Sequence, residues 1–568
     1  MQSKTIKKIR NWVLGILLFL IVLIGGAALY ISKEWKPILD SQLKALVISS
    51  SDSLYHVEYS SFKINLLTGN ASFKDFKLIP DSTIYKKLVL QQKAPDNVYN
   101  LTVENLIFKK FHPRRIFMDK KLNVNSILIN KPSLIITNKR QPYNDTVSTK
   151  PVKTPYQLIS KSLKELRINK ILLNDVDFTF INQSNTPAKK TALKNLNINV
   201  TDLLIDSLSQ NDRSRFYNTK NVEVQMRSYK IATSDSLYYF TLQNFEFSAA
   251  DKKLLVDNLK LTPRYSPANF YKKVGYAKDK FDLSFGQIAL NEIDLNKFIK
   301  YQRLWAGSMD IINGNISVHN NNAYPKRRKN KIGKFPHQQL QKFALDLKIN
   351  TLNIRNTNIS YSEYDKTSKQ TGEITFNKTN GKIYNVTNDS IALSKNRFAF
   401  AELNTLLMNT GKLFVKFNFN LTDPLGAFTY SGELGSFNGP VLNKITKPLG
   451  MVEIKSGKIK KLSFNASANS NLSKGNVELY YHALKFDLLK RDKETGDLKK
   501  QGFLSGIANI FIINSDNPKE NGTFTPGIIY YKRPLTDSFF AMLWKSLFTG
   551  IKSSVGVSSK KETKILNT

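Results

Sequence analysis

Cysteine is absent from the 568 residues, and histidine is scarce. Without cysteine the chain can form no disulfide framework, no thiolate metal site and no cysteine-linked lipid anchor. The five histidines are far apart in sequence and form no H-x-x-x-H pair, so neither a zinc site nor any other metal or cofactor is expected. Stability must therefore come from apolar burial and from backbone hydrogen bonds.

The usual motifs of catalysis are also missing. There is no G-x-S-x-G elbow for a nucleophile and no G-x-x-x-x-G-K-[ST] or G-x-G-x-x-G loop for phosphates. A Ser60-x-x-Lys63 match carries little weight in a chain so rich in serine and lysine. Asp175 and Asp177 are interpreted as polar residues on a solvated strand face. The sequence therefore offers no catalytic residue, and we expect a protein that is not an enzyme.

Long apolar runs are absent except for one, residues 12–31, which contains no charged residue. Twenty residues of helix span roughly 30 Å, the thickness of one bilayer core. The basic residues Lys4, Lys7, Lys8 and Arg10 precede this run, so the positive-inside rule places the N-terminus in the cytoplasm and exports everything after residue 33. A cleavable signal peptide is the alternative, because residues 25–28 are small.

The cellular location follows from the apolar run and from the absence of cysteine. A large exported body without disulfides fits a bacterial periplasm better than an animal cell surface. We therefore predict a cytoplasmic tail and transmembrane helix over residues 1–31, a single pass through the inner membrane, and a periplasmic body.

Acidic residues are few: 44 Asp and Glu stand against 85 Lys and Arg, for a net charge of +41. So basic a chain indicates an anionic partner. Export argues against nucleic acid, and the basic residues are scattered along strands and do not cluster on a recognition helix. Anionic phospholipid head groups or lipopolysaccharide are the better candidates, with a merely soluble basic surface as the alternative.

Helical spacing of apolar residues predicts a connecting helix over residues 32–50, and from about Tyr55 the period changes to two. Apolar and polar residues then alternate along many short segments, which predicts half-buried strands of a long antiparallel sheet in a mainly β body, residues 51–533. The apolar members of the clearest segments are Val176, Phe178, Phe180, Leu345, Leu347, Ile349, Leu413, Val415, Phe417, Phe419, Leu421, Leu462 and Phe464.

A weak internal repeat runs through this body. Residues 124–129 resemble residues 168–173 and 349–354, and more loosely 285–295, and apolar pairs follow each of the first three copies after a polar gap. Each copy is interpreted as strand, polar turn, strand, which predicts a recurring hairpin. A basic segment, residues 319–337, is expected to be an exposed loop that could divide the body in two.

The helical period returns near the C-terminus, where an amphipathic helix is predicted over residues 534–556, followed by a tail over 557–568. Its apolar stripe would either cover the end of the sheet or lie in a membrane interface, which Trp, Phe and flanking lysines would suit. The residues predicted to touch the membrane are Phe540, Leu543, Trp544, Leu547, Phe548 and Ile551.

A sheet with one apolar face must bury that face against something. Because the body contains few helical segments to cover it, we expect an elongated, curled sheet whose apolar groove receives acyl chains. The alternating residues given above would line this groove.

Three segments resemble the AsmA-like family. They are residues 62–65 with 69–81, residues 127–136 with a proline between two alternating strands, and residues 457–464 with 475–481. The resemblance implies an inner-membrane-anchored periplasmic protein with a repeating β-groove, related to bridge-like lipid-transfer proteins and connected with outer-membrane lipid homeostasis. The Lys- and Asn-rich composition is similar to that of family members from Bacteroidota-type bacteria.

Two other functions stay open at this point. The chain could be an assembly factor for outer-membrane β-barrel proteins, in which exposed strand edges pair with client strands. It could also be a structural envelope protein with a closed, packed interior. An open apolar lining favours lipid binding, a long unpaired strand edge favours an assembly factor, and a filled interior favours a structural role. A partner in the outer membrane or an envelope protein is compatible with lipid binding and with assembly.

Overall fold

The computed structural model describes residues 44–45, 47–49, 51–65, 67–112, 115, 118–145, 154–160, 163–184, 188–212, 214–326, 330–492, 495–500 and 514–556. The predicted membrane span, residues 12–31, and the predicted tail, residues 557–568, lie outside this part of the chain. Among the residues described, no helix is both long and apolar enough to cross a membrane. Of the predicted connecting helix, residues 44–45 and 47–49 are described, and they are helical.

The chain is mainly β, as predicted. It divides into two compact units, residues 1–229 with 244–254 and residues 230–243 with 255–568. The basic segment 319–337 lies within the second unit.

The strands that begin in the first unit are β1 Tyr55–Glu58, β2 Ser61–Asn65, β3 Asn70–Pro80, β4 Asn97–Phe111, β5 Lys121–Asn130, β6 Ser133–Asn138, β7 Glu165–Asn182, β8 Lys189–Ile205 and β9 Asn221–Ala232. Its helices are α1 Ser82–Leu90 and α2 Pro155–Ile159. Strands β10 Tyr238–Ser248 and β11 Lys253–Pro263, like β9, contribute residues to both units.

The second unit continues with β12 Lys280–Asn291, β13 Arg303–Asn321, β14 Asp346–Tyr364, β15 Thr371–Thr387, β16 Phe398–Leu407, β17 Gly411–Asn420, β18 Phe428–Leu434, β19 Phe437–Asn438, β20 Val452–Ala468, β21 Leu472–Arg491, β22 Leu498–Lys500 and β23 Gly527–Lys532. Its helices are α3 Pro267–Val274, α4 Leu295–Tyr301, α5 Pro336–Leu340, α6 Ser390–Lys395, α7 Asn443–Gly450 and α8 Phe539–Ser554.

Strand pairing in the first unit is antiparallel except at one place. β1 and β2 both pair with β3, which pairs with β4, and β4 pairs with β5 and β6. β7 then pairs with β5 and β6 in parallel, and β8 and β9 follow antiparallel. The sheet is therefore mainly antiparallel, as predicted, with one strand of this unit paired in parallel.

The second unit has the same kind of exception. β13 pairs in parallel with β14, and β12 and β15 flank this pair antiparallel. From β15 the order runs antiparallel through β16, β17, β18, β20 and β21 to β23.

The predicted hairpins at the repeat copies are wrong. β5 and β6 are collinear and are separated only by Lys131 and Pro132. Both pair with the same two strands, β4 and β7. The second and third copies lie on the single long strands β7 and β14. The polar gap that suggests a turn is instead a β-bulge, which bends a strand without reversing it.

Each unit contains a large hydrophobic core. In the first unit the buried residues come from β1 to β8 and from residues flanking these strands, including Leu122, Ile127, Ile136 and Ile168, all with no exposed surface. In the second unit they come mainly from β16 to β23 and α8.

Candidate functional site

The second unit has one continuous apolar face, which is visible in the pairing of its strands. Residues directly opposite each other on neighbouring strands project to the same face of a sheet. One such row reads Leu290, Met309, Leu352, Ile383, Ala401, Phe417, Tyr430 and Ala466. A second row, two residues along each strand, reads Ile288, Ile311, Ile354, Gly381, Leu403, Val415, Gly432, Phe464 and Val477.

The row between these two projects to the other face and is polar from β13 to β21, whereas its position on β12 is the buried Ala289. It reads Asp310, Asn353, Lys382, Glu402, Lys416, Ser431, Asn465 and Asn476. Its members bond to one another: Asn353 donates to Asp310 at 2.9 Å, and Lys416 lies 3.0 Å from Glu402. At these three rows the sheet therefore presents an apolar and a hydrophilic face, the combination expected of a surface that meets water on one side only.

Burial along the apolar face changes from strand to strand. On β13 to β15 the apolar side chains are half-buried, including Met309, Ile311, Leu352, Ile354 and Ile383. Towards β18 and β20 they become buried, as at Tyr430, Phe464 and Ala466. We call the half-buried part, β13 to β15, the open face, since its residues keep contact with solvent while sharing a surface with the core.

The first unit repeats this arrangement. Leu106, Ile129, Leu173, Ile198 and Val224 form one row of opposed residues from β4 to β9. The first two are buried and the last three are half-buried. In each unit, therefore, an apolar face runs from a packed core to strands on which it is only partly covered.

An aromatic cluster closes the packed end in the second unit. The ring of Phe539, the first residue of α8, lies 5.3 Å from that of Phe428 and 5.4 Å from that of Phe335. Phe417 and Phe419 stack on each other at 5.4 Å and also contact Phe539. The predicted lining residues of β17 therefore touch a helix, so that this part of the face is already occupied by the protein itself.

Phe335 corrects the expectation for the basic segment 319–337. Its side chain has no exposed surface, and the neighbouring His337 and Gln338 are buried too. The end of this segment is thus anchored in the core and is not an exposed loop, although Lys326 is exposed. The guanidinium of Arg533 lies 4.5 Å from the Phe335 ring and donates to the carbonyl oxygen of Lys331.

His337 is a titratable group inside this cluster. Its ring lies 4.9 Å from that of Phe419, and its Nε2 is 3.1 Å from the carbonyl oxygen of Gly426. Burial lowers the pKa of His337, and the contact with Gly426 opposes this only in part. The imidazole is therefore held neutral at neutral pH.

Compared with models of protein families and with curated proteins, the chain gives no match.

Most of the predicted lining residues share the apolar face of their unit. In the first unit Phe178 and Phe180 lie opposite Leu134 and Ile136, and Val176 lies opposite Leu196. In the second unit this face includes Leu413, Val415, Phe417, Phe419, Leu462 and Phe464. Leu421 is buried just beyond the end of β17.

Leu345, Leu347 and Ile349 are placed differently. Leu345 precedes β14, and Leu347 and Ile349 lie on the opposite face from Leu352 and Ile354, because the pairing with β15 runs without a shift from Lys348 to Ile354. The apolar pattern changes face between Ile349 and Leu352. Ile168 and Ile171 on β7 show the same change.

Several residues of the open face were missed as lining residues. Leu352 and Ile354 belong to the internal repeat but follow the change of face, and Met309, Ile311 and Ile383 stand in segments with weaker alternation. The sequence does contain a sign of this face in the spacing of Leu352, Ile354 and Ile359. These residues follow a period of two only when one extra residue is allowed for the bulge.

The C-terminal helix packs through a face other than the predicted stripe. Its fully or nearly fully buried residues are Met542, Ser546, Gly550 and Ser554, which recur every four residues. A Cβ on Gly550 would lie 2.6 Å from Cγ2 of Val477, so the small stripe lets the helix approach the sheet closely. Of the predicted stripe, Leu543, Leu547 and Ile551 pack partly against the core, whereas Phe540 and Trp544 are exposed.

A separate open cleft lies at an irregular part of the β20 and β21 pairing. It has a volume of about 540 Å³ and is lined by residues that include Pro440, Gly457, Lys458 and His482. The imidazole of His482, 2.5 Å from Asp516, is largely exposed. The cleft offers no enclosed polar group to orient a ligand, so it is a weaker candidate than the open face.

Proposed function

We propose that the chain binds phospholipid, with the acyl chains lying against the open face of the second unit and its counterpart in the first. The observation that carries the proposal is the pair of unbroken apolar rows flanking a polar row. Each methylene removed from water contributes about 0.8 kcal/mol, so an acyl chain along several strands would be bound appreciably.

The proposed setting is the periplasm, with an anchor in the inner membrane and a role in outer-membrane lipid homeostasis. It is supported by the apolar run at residues 12–31, by the net charge of +41 and by the resemblance to the AsmA-like family. In this proposal the protein holds or transfers lipid and catalyses no reaction. Basic residues attract the anionic head groups, and the apolar face holds the chains.

Two aspartates at the centre of the open face test this proposal. Ile311 and Ile354 lie opposite each other on β13 and β14, and both are half-buried. The variant Ile311→Asp with Ile354→Asp places two charges where acyl chains would lie. In the control, Thr351→Asp with Ser360→Asp, the same charges are placed on the opposite face of β14, at half-buried positions.

The measurement is mass spectrometry of the lipids that copurify with the full chain in mild detergent. We expect stoichiometric phospholipid with the unmodified chain and with the control, and less phospholipid with the Ile311/Ile354 variant, in which only the face of the first unit is unchanged. Equal lipid in all three would reject the open face as a lipid site.

A second function has one observation in its favour. β23 pairs with β21, and no other strand of the described chain has a register with it. Its exposed side chains are Ile528, Tyr530 and Lys532. A free strand edge could receive a client strand, as the assembly-factor hypothesis requires, although at six residues the edge is short.

A further inference from the structure

The C-terminal helix α8 exposes two of its four large aromatic side chains, whereas the ring of Phe539 packs in the core and Phe548 is half-buried. Phe540 is 54% exposed and Trp544 is 39% exposed, while the residues with the most burial are a methionine, two serines and a glycine. An amphipathic helix that only covered a sheet would point its large aromatic residues inward. This orientation requires another explanation.

Three aromatic residues of α8 form a ridge along one side of the helix. Phe540, Trp544 and Phe548 recur every four residues and so lie one above another, over about 12 Å of helix. The rings of Trp544 and Phe548 are 5.8 Å apart. We call these three residues the aromatic ridge.

Charge around the ridge identifies its partner. The sequence of α8 contains Lys545 and Lys552 and no acidic residue, although Lys545 is paired at 2.9 Å with Asp537, which precedes the helix. The ammonium of Lys552 lies 4.6 Å from the centre of the Phe548 ring, beside the ridge. Trp and Phe beside lysine suit the boundary between head groups and acyl chains, whereas lysine is depleted in protein interfaces.

We infer that the aromatic ridge docks this end of the second unit onto a bilayer that contains anionic phospholipid. The buried stripe, Met542 to Ser554, stays on the sheet, so only the three rings enter the membrane. Insertion is therefore shallow, of the order of 5–10 Å. The inference goes beyond the proposed function, because a membrane contact at α8 does not require that the open face bind lipid.

Because the chain contains no cysteine, single cysteines can be introduced without removing any native one. The test uses the full chain carrying Phe540→Cys, Trp544→Cys or Phe548→Cys, each labelled with a nitroxide. Tyr530→Cys is the matched control, because Tyr530 on β23 is 52% exposed, close to the value for Phe540. The proteins are reconstituted with vesicles of phosphatidylethanolamine and phosphatidylglycerol, or of phosphatidylcholine alone.

Electron paramagnetic resonance then compares access to oxygen, which concentrates in lipid, with access to a water-soluble nickel complex. We expect the three ridge positions to lose access to nickel and gain access to oxygen in anionic vesicles, while the label at position 530 stays in water. Equal immersion in phosphatidylcholine would overturn the requirement for anionic lipid. Nickel access at all three positions in both vesicles would overturn membrane docking and leave the ridge to a protein partner.

A second variant guards against misfolding of the labelled proteins. Trp544→Lys places a charge at an exposed site, so the thermal midpoint should be unchanged while the label at position 540 returns to water. This variant should also keep its copurifying phospholipid. Loss of docking with retained lipid would separate this inference from the proposed function, and unchanged docking by Trp544→Lys would overturn the inference.

Discussion

The backbone N–H of Asn356 donates a 2.9 Å hydrogen bond to Oδ1 of Asn380 on the neighbouring strand. The same strand pair contains the reciprocal bond, from the N–H of Lys378 to Oδ1 of Asn358, also at 2.9 Å. Asn356 and Lys378 both have positive φ, so each bond holds a bulged residue in the left-handed region. Two bulges thus face each other across β14 and β15.

The first unit contains the same device on β7 and β8. Asp175 N–H donates to Asn197 at 3.1 Å, and Asn195 N–H donates to Asp177 at 3.3 Å. Asp175 and Asn195 again have positive φ. This double bulge, in which a polar side chain supports each bulge from the opposite strand, bends long strands at the same place in both units.

Removing one of the supporting side chains should weaken the second unit. We expect Asn380→Ala to lower the free energy of unfolding by about 1 kcal/mol, because the N–H of Asn356 loses its acceptor. Asn350→Ala is the control, an exposed asparagine on β14 with no side-chain hydrogen bond within the described residues. Urea unfolding of both variants measures the difference; equal midpoints would show that the bond contributes no stability.

The carboxylate of Asp202 should make the first unit sensitive to acid. Asp202 lies 2.8 Å from Arg215 and 2.9 Å from Arg167, and its side chain is largely buried, as is that of Arg215. Burial alone would raise the pKa of Asp202, but the hydrogen bonds and charges of the two arginines lower it below its ordinary value. The ion pairs therefore stabilise the fold above about pH 4, and this stabilisation is lost as the pH falls through the lowered pKa.

We expect Asp202→Asn to lower the free energy of unfolding by about 2 kcal/mol at neutral pH, because the buried Arg215 loses one of its two carboxylate partners and keeps only Asp212, at 3.2 Å. The difference from the unmodified chain should shrink as the pH falls below 4. Thermal unfolding followed by circular dichroism at several pH values measures this. A difference that stays constant down to pH 2 would mean that the charge of Asp202 is not the cause.

His337 predicts a second pH effect, at milder acidity and in the second unit. Its pKa is lowered in the folded protein, so unfolding takes up a proton once the pH falls below about 6.5, the ordinary value. Stability that is fully present above this pH should decline below it. His337→Phe removes the titrating group but keeps an aromatic ring beside Phe419 and Phe428.

The free energy of unfolding of His337→Phe should be about 1 kcal/mol lower than that of the unmodified chain at pH 7.5, since the Gly426 carbonyl loses its partner. Between pH 7.5 and 5.5 it should fall by less than that of the unmodified chain. The pKa of His319 is also lowered, by burial and by the charge of Lys280, so comparison with the unmodified chain is needed to isolate His337. Parallel pH profiles would contradict this account.

Much of the fold is predictable from alternation alone. The segment from Leu413 onwards predicts β17, and the segment around Phe464 predicts part of β20, because period-two patterns on a one-sided sheet leave few alternatives. The internal repeat also identifies real strands. Their parallel pairing is not predictable, because residues 44 positions apart in sequence, such as Asn130 and Asn174, reveal their contact only in three dimensions.

The failures have physical causes. Asn174 and Asp175 form a bulge and not a turn because Asn197, on another strand, accepts the bond from Asp175, and a single sequence does not show that partner. No bulge marks the change of face after Ile349, because the pairing with β15 runs there without a shift. The packed side of α8 was also missed, since close approach between Gly550 and Val477 favours small residues over large apolar ones.

Neighbouring residues of β14 test most directly whether acyl chains lie on the open face. Asn353 and Ile354 are both half-buried but project to opposite faces. The full chain would carry benzoylphenylalanine at position 352, 353 or 354 and be illuminated in its native membrane. Mass spectrometry should then find phospholipid adducts at positions 352 and 354 but not at 353. Absence of adducts at 352 and 354, or equal adducts at all three positions, would contradict the account.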